Sequence, residues 1–305
     1  MMSLSSVQHR PELFGAIDEG ESLTDRFVEL GIGFAELDAS LVVSYDHQVG
    51  GHRTGDGNAS SRDVQRFRHS DGSLHILKPL QHDERGVREA YFYHRISEKF
   101  ARLIPKFYGL FRTPSNHFSV CLEDCTAGLS FPCVADIKIG RVTYDLLATP
   151  EKIQKEIKNY KWQSEIGFRF VGIKSYSQQT QAFTVYGKPF GKGIEPETVH
   201  VAWSTLLNCG HPTNVKIYII DELLRRLREI AEFVRQQEEF LLFSSSLLLA
   251  FEGGVIKDEM PKVSINMIDF GHAFPIRESG ERDHNYKFGI DRLINSLEDY
   301  QKKHC

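Results

Sequence analysis

The chain has 305 residues, 41% of them hydrophobic, with 37 lysines and arginines against 41 aspartates and glutamates and a formal charge of -4. That length suits one two-lobed catalytic domain or two small domains, with enough apolar residues for a core. The slight negative balance gives no overall field that would draw the protein onto nucleic acid or an anionic membrane, so no nucleic-acid partner is expected and any anion site must be built locally.

No apolar run approaches the roughly 20 residues that span a bilayer; the longest, at 247–251, is strand-sized. The first twenty residues hold neither a basic n-region nor a long apolar h-region, so no secretory signal is expected. Five cysteines, an odd number, read as reduced, intracellular thiols. Cys209 and His211 lack a second pair at zinc spacing and read as ordinary side chains.

Residues 1–38 are weakly patterned, interrupted by Gly15, Gly20, Gly31 and Gly33, and are set aside as an extension of uncertain order. An N-terminal lobe is placed at 39–126. Gly50, Gly51 and residues 55–61 read as loop. Residues 64–69 and 74–77 flank Ser70-Asp71-Gly72-Ser73, a hairpin signal, and Lys78 ends the second strand. A helix is predicted from Gly86 to about Phe100. Strands follow at 107–112 and 118–122. Gly128 and Pro132 punctuate a connector, and a second lobe is placed at 127–305. A buried strand covers 134–139. Thr149-Pro150-Glu151 starts a helix that runs to about Tyr160. A strand is expected at 167–176, and a long helix capped by Asn214, whose apolar face is for packing. Strands at 245–251 and 263–270 and a closing helix at 290–300 complete the reading. The basic run Arg225, Arg226, Arg228 is interspersed with acids and reads as a solvated face.

Strand alternation puts Asp136 and Lys138 on one face of an otherwise apolar strand. Buried charges are costly unless used or paired; a structural ion pair is one reading. The context offers another. Lys78 ends a strand and Glu89 lies in the following helix, as where a kinase lysine grips nucleotide phosphates and a helix glutamate orients it. Downstream, Asp269-Phe270-Gly271-His272 places an acid at a strand end, like the magnesium-holding acid of a D-F-G element. There is no G-x-x-x-x-G-K-[ST], no G-x-G-x-x-G before Lys78 and no H-R-D, which disfavours a P-loop enzyme and an ordinary protein kinase.

The segment from Pro132 to Gly140 reads P-x-x-x-D-x-K-x-G, and with Ser245-Ser246-Leu247-Leu248, Ile268-Asp269-Phe270 and Lys78-Pro79-Leu80-Gln81 the chain resembles the inositol polyphosphate kinase family over roughly residues 45–300. Tyr144-Asp145 through Gln154 and Asp269 to His272 point to its multikinase branch, and the segment between the hallmark and Gly167 is too short for the insertion of the trisphosphate 3-kinases. The resemblance implies an α+β, two-lobed kinase-like fold related to ATP-grasp, with a short helical substrate-binding segment at 149–160. It implies ATP and Mg2+ as cofactors. Lys78, oriented by Glu89, would hold phosphates. Glu123 and Cys125 would form the adenine hinge, Asp136 would bond the ribose, and Asp269, with help from Ser246, would bind the metal. Lys138 would bridge the transferring phosphoryl group and the acceptor, making it and Asp269 the catalytic pair. Arg85, Lys152, Lys155, Asn159 and His272 would bind inositol phosphates.

On a helical wheel Lys152, Lys155, Glu156 and Asn159 share one face, while Ile153, Ile157 and Tyr160 share another that is expected to pack. Lys155, Glu156 and Asn159 stand where the family more often has amides and a lysine, and a solvated charged face is the plain alternative. The resemblance implies Ins(1,4,5)P3 and InsP4 isomers as substrates, ending in InsP5, with PtdIns(4,5)P2 as a further substrate of some members. A trisphosphate 3-kinase, a hexakisphosphate kinase and a non-catalytic kinase-like scaffold are the alternatives. A monomer in cytoplasm or nucleus is expected, with no stable membrane insertion and at most transient phosphoinositide contact.

Overall fold

A computed structural model describes residues 22–43, 64–69, 72–255, 259–277 and 280–305. The expected loop at 50–61 and the first 21 residues lie outside them. Helix α1 (Leu23–Glu29) starts at Ser22, whose hydroxyl and the Asp25 carboxylate cap each other's backbone amides. Phe27, Leu30 and Ile32 are buried, with Phe27 edge-on to Phe118. Strand β1 (Ala35–Glu36) then pairs in parallel with Phe111 and Arg112. Residues 22–38, set aside from sequence as part of an extension, are therefore built into the first lobe. Their apolar residues are too few and irregular to show a period, and the six-stranded sheet supplies what they pack on.

That sheet continues with β2 (Val42–Val43), β3 (Gln65–Arg68) and β4 (Leu74–Pro79), the last two forming the expected antiparallel hairpin. The helix expected at 86–100 is two helices, α2 (Glu84–Arg95) and α3 (Glu98–Ala101). Ile96 is extended at ψ 149 and Ser97 caps a fresh start, its hydroxyl accepting from the Phe100 amide. Local capping chemistry here overrides a continuous apolar period. Strands β5 (Phe107–Arg112) and β6 (Phe118–Glu123) fall where expected and complete the order β1-β5-β6-β4-β3-β2.

The second lobe begins with β7 (Pro132–Ile139), α4 (Pro150–Asn159), a single turn α5 (Gln163–Ile166) and β8 (Phe168–Ser177). Next come β9 (Ala182–Tyr186), α6 (Lys188–Lys192) and α7 (Val199–Leu207), for which sequence gave no expectation. Helix α8 (Thr213–Gln236) has Pro212 rather than Asn214 at its N-cap and no side-chain capping bond there. Strands β10 (Phe240–Leu242), β11 (Ser246–Glu252), β12 (Val263–Ile268) and β13 (Ala273–Pro275) follow. Helix α9 (His284–His304) is longer than expected: Asp283 caps it by accepting from the Tyr286 amide, and the buried face begins at Tyr286 rather than at Ile290.

The main sheet here is antiparallel, ordered β12-β11-β7-β8-β9. Along β11, Leu247, Leu249 and Phe251 are fully buried, toward α7, α8 and α9. The alternate residues face the cleft between the lobes. One hydrophobic cluster joins both lobes, running from Phe27, Phe92 and Phe118 to Phe270, Leu227 and Leu297. The basic run on α8 is solvated as expected, with Arg225 and Arg226 paired to Glu222 and Arg228 to Glu298.

Candidate active site

Four strands converge on the cleft. In the β7–β11–β12 register, Ser246 lies opposite Lys138 on one side and Ile268 on the other, and Asp269 is the next residue. Asp136 and Lys138, two apart on β7, share the cleft face with Ser246. From the other lobe, β4 delivers Lys78. Its ammonium donates to Glu89 Oε1 at 2.7 Å and to Asp269 Oδ1 at 2.5 Å. The sequence-predicted set of Lys78, Glu89, Asp136, Lys138, Ser246 and Asp269 is thus one constellation, though its members are up to 191 residues apart in the chain.

Helix α2 fixes the acid strand end. Phe270 stacks on Phe92 with centroids 3.7 Å apart, and Arg88, almost wholly buried, donates to the Gly271 carbonyl at 2.9 Å. Asp269 itself sits at φ 65, a left-handed conformation that Asp tolerates better than most residues. The turn aims its carboxylate back at Lys78, yet 43% of the side chain stays open to the cleft.

The charges are strongly perturbed. Burial alone would lower the Lys78 ammonium, but Asp269 and Glu89 outweigh it and hold Lys78 protonated. Burial would raise the Asp269 carboxyl, but Lys78 and Lys138 pull it below its usual range. Asp136 moves the other way, up to about 6, through burial and the nearby Asp269 charge. Asp136 Oδ1 and the Ser246 hydroxyl are buried without a hydrogen bond of acceptable geometry, although the hydroxyl is close enough to temper the upward shift of Asp136. Such orphaned oxygens fit groups that a ligand would satisfy. Among the described residues no cluster of three or more His, Cys, Asp or Glu could hold a metal. The Asp269 carboxylate, partly open to the cleft, and the Ser246 hydroxyl are oxygen donors of the kind a divalent cation takes when phosphates supply the rest.

Lys138 donates to the Ser244 hydroxyl at 2.6 Å, a residue the sequence reading did not single out. Ser244 adopts φ 56 just before β11, so the strand entry kinks toward the lysine. Burial lowers the Lys138 ammonium.

Residues expected at the acceptor side are distributed unevenly. In α4, Lys152, Glu156 and Asn159 are half-buried, whereas Lys155 is exposed. The face assigned to packing does not pack throughout: Ile157 is 49% exposed, and only Tyr160, just past the helix end, is buried. The inward face is thus centred on Glu156, which accepts from the Thr143 hydroxyl at 3.1 Å. His272 bonds through Nδ1 to Asp145 Oδ2 at 2.5 Å. Burial would raise the Asp145 carboxyl, but His272, Lys152 and Arg88 lower it to about 2. Asp145 is a second group that sequence reading passed over, although it stands inside the quoted motif. Arg85 is folded onto Asp83, the N-cap of α2.

Glu123 and Cys125 lie where β6 leaves the first lobe. The Glu123 side chain is exposed and accepts from the Lys106 amide at 3.2 Å. His211 bonds Gln178 and the Glu252 carbonyl, and the Cys209 thiol meets that of Cys133.

The family model for inositol polyphosphate kinase matches residues 119–298. The chain belongs to the inositol polyphosphate kinase family. This family member is similar to the rat inositol polyphosphate multikinase, 30% identical over 222 residues, which are 69% of this chain and 54% of that protein. It is also similar to mouse inositol hexakisphosphate kinase 3, at 27% over 206 residues, 61% of this chain and 52% of that protein. The chain thus spans about half the length of these curated relatives. Its fold matches the crystal structure of the S. cerevisiae inositol phosphate multikinase Ipk2 in complex with ADP and Mn2+, with a TM-score of 0.65 at 22% identity, covering 75% of this chain and 99% of that one.

Proposed function

We propose that this chain is an ATP-dependent inositol polyphosphate multikinase that carries Ins(1,4,5)P3 through InsP4 to InsP5. One observation carries the reading: Lys78, Glu89 and Asp269 form a connected charge relay across the cleft, and Ser246, at the register position beside Asp269, lies opposite Lys138. A structural ion pair would not need groups from both lobes together with unsatisfied oxygens on Asp136 and Ser246.

In this reading ATP lies between the lobes. The backbone of residues 123–125 meets the adenine and Asp136 takes ribose hydroxyls. Lys78, held by Glu89, grips the phosphates. A divalent cation, Mg2+ in this proposal, would be held by Asp269 and Ser246 and would neutralise phosphate charge. Lys138, steadied by Ser244, stabilises charge that develops on the transferring group and acceptor oxygen. Phosphoryl transfer needs positioning and charge neutralisation more than a strong base, and no general base is required of the residues here. Lys152, Asn159 and His272 face the acceptor; Arg85 joins them on release from Asp83, and Lys155 acts from the rim. Exposed Leu146, Leu147 and Ile157 flank that rim and suit a phosphoinositide headgroup presented on a lipid surface, which makes PtdIns(4,5)P2 a second substrate to test.

The test is incubation of the purified protein with Mg-ATP and Ins(1,4,5)P3, with products resolved by phosphate position. Stepwise appearance of InsP4 and then InsP5 is expected. A single InsP4 that goes no further would instead indicate a 3-kinase, and turnover of InsP6 alone a hexakisphosphate kinase. Inert protein with every acceptor would contradict the proposal and favour a scaffold.

A further inference from the structure

Arg169, the second residue of β8, lies directly opposite Lys138 in the antiparallel β7–β8 pair. Directly opposed residues project to the same face with Cβ atoms about 5 Å apart, and like charges so placed repel. Both groups are half-buried. Burial is the largest influence lowering each, and Arg169 lowers Lys138 further. Two cations side by side on a partly dehydrated face are an unfavourable arrangement unless an anion lies between or above them.

Among the described residues the Arg169 side chain makes no hydrogen bond and no ion pair; its guanidinium stands 5.6 Å from the Tyr160 ring centroid. Glu156 and Asp136 favour the charged guanidinium through space, but neither is hydrogen-bonded or ion-paired to it. Five N–H donors in a planar fork are therefore left on the same face as Lys138, between that strand and α4. Such a fork matches a phosphate better than an ammonium does.

We propose that Arg169 binds a phosphate on the inositol ring, on the carbon next to the hydroxyl that receives the new phosphoryl group, and so selects which hydroxyls are phosphorylated. The short span between opposed side chains is one that neighbouring substituents on a six-membered ring can bridge. This rests on the kinase reading above.

The test is steady-state kinetics of Arg169→Leu and Arg169→Lys with Ins(1,4,5)P3 and with inositol bisphosphates that each lack one phosphate. For Arg169→Leu the inositol phosphate KM should rise about 10- to 100-fold, the cost of losing a hydrogen bond to a charged group, while the KM for ATP stays put. Arg169→Lys should recover part of the loss. The bisphosphate lacking the phosphate that Arg169 holds should be handled equally by wild type and Arg169→Leu. An active wild type whose Leu variant keeps its KM for every acceptor would overturn this assignment alone. So would a Leu variant that loses thermal stability and raises the KM values of ATP and all acceptors alike, since that marks a structural role. A wild type that phosphorylates no inositol phosphate would remove the kinase reading and this proposal together.

Discussion

Asp145 and His272 show what a single contact contributes. The Asp145 side chain is only 2% exposed and its carboxyl falls from 3.8 to about 2. A depressed folded pKa means that the folded state favours the ionised form. The contribution is therefore fully present above the unfolded pKa near 4 and disappears as pH drops through about 2. Its size at neutral pH is about 2 kcal/mol. Denaturant unfolding of wild type and Asp145→Asn should differ by about that much at pH 6, and the gap should close between pH 4 and pH 2. A gap that stays constant down to pH 2 would mean that the ion pair is not its source. Asp145 fixes His272 through Nδ1; in the proposed kinase the other ring nitrogen would be left for the acceptor, which would make Asp145 a positioning residue. Residues such as Asp145, Ser244 and Arg169 were not legible as site groups. Each owes its place to cross-strand register or to a contact over a hundred residues away, as for Ser244 with Lys138 and Asp145 with His272.

Between elements, a junction of three glycines holds the hallmark strand to the closing helix. Gly140 ends β7 at φ 121, a conformation that favours glycine, and its amide donates to the Gly167 carbonyl at 2.9 Å. Helix α9 presses on this pair through Gly289: a Cβ there would stand 2.4 Å from both Gly140 N and Gly167 O. Neither contact is with a side chain that could swing away. Gly289→Ala should thus cost about 3 kcal/mol in denaturant unfolding, the upper end for overpacking, and should lower turnover by displacing the strand that carries Lys138. A loss under about 0.5 kcal/mol would show that α9 is free to shift. At this level the sequence was informative at some local periods and caps and not at others, since Asn214 does not cap α8 and Ser97 breaks the period read over 86–100. Thr149-Pro150-Glu151 started α4 as read, and the alternation on β7 put Asp136 and Lys138 together. It failed where burial depends on a partner: α1, β1 and α7 have their apolar residues read out only by packing on distant strands, and the inward face of α4 was rotated from Ile157 toward Glu156.

The two lobes are joined at three kinds of contact. The Lys78–Asp269 bridge spans the cleft, Phe92 stacks on Phe270, and Glu239 accepts from both the amide and the hydroxyl of Ser97. With a continuous core behind them, these contacts hold Lys78 against the acid that follows β12. Such preorganisation is what a loose phosphoryl-transfer transition state calls for. The order of motifs along the chain made this two-lobed assembly readable, because each piece had only one compatible place in it. In the proposed mechanism Lys138 stabilises the charge that develops in transfer. Its direct test is turnover of Lys138→Ala with Mg-ATP and Ins(1,4,5)P3, beside the variant's affinity for Mg-ATP and its melting curve. The kcat should fall at least about a hundredfold in a folded protein that still binds nucleotide. Near-normal turnover in that folded variant would contradict it.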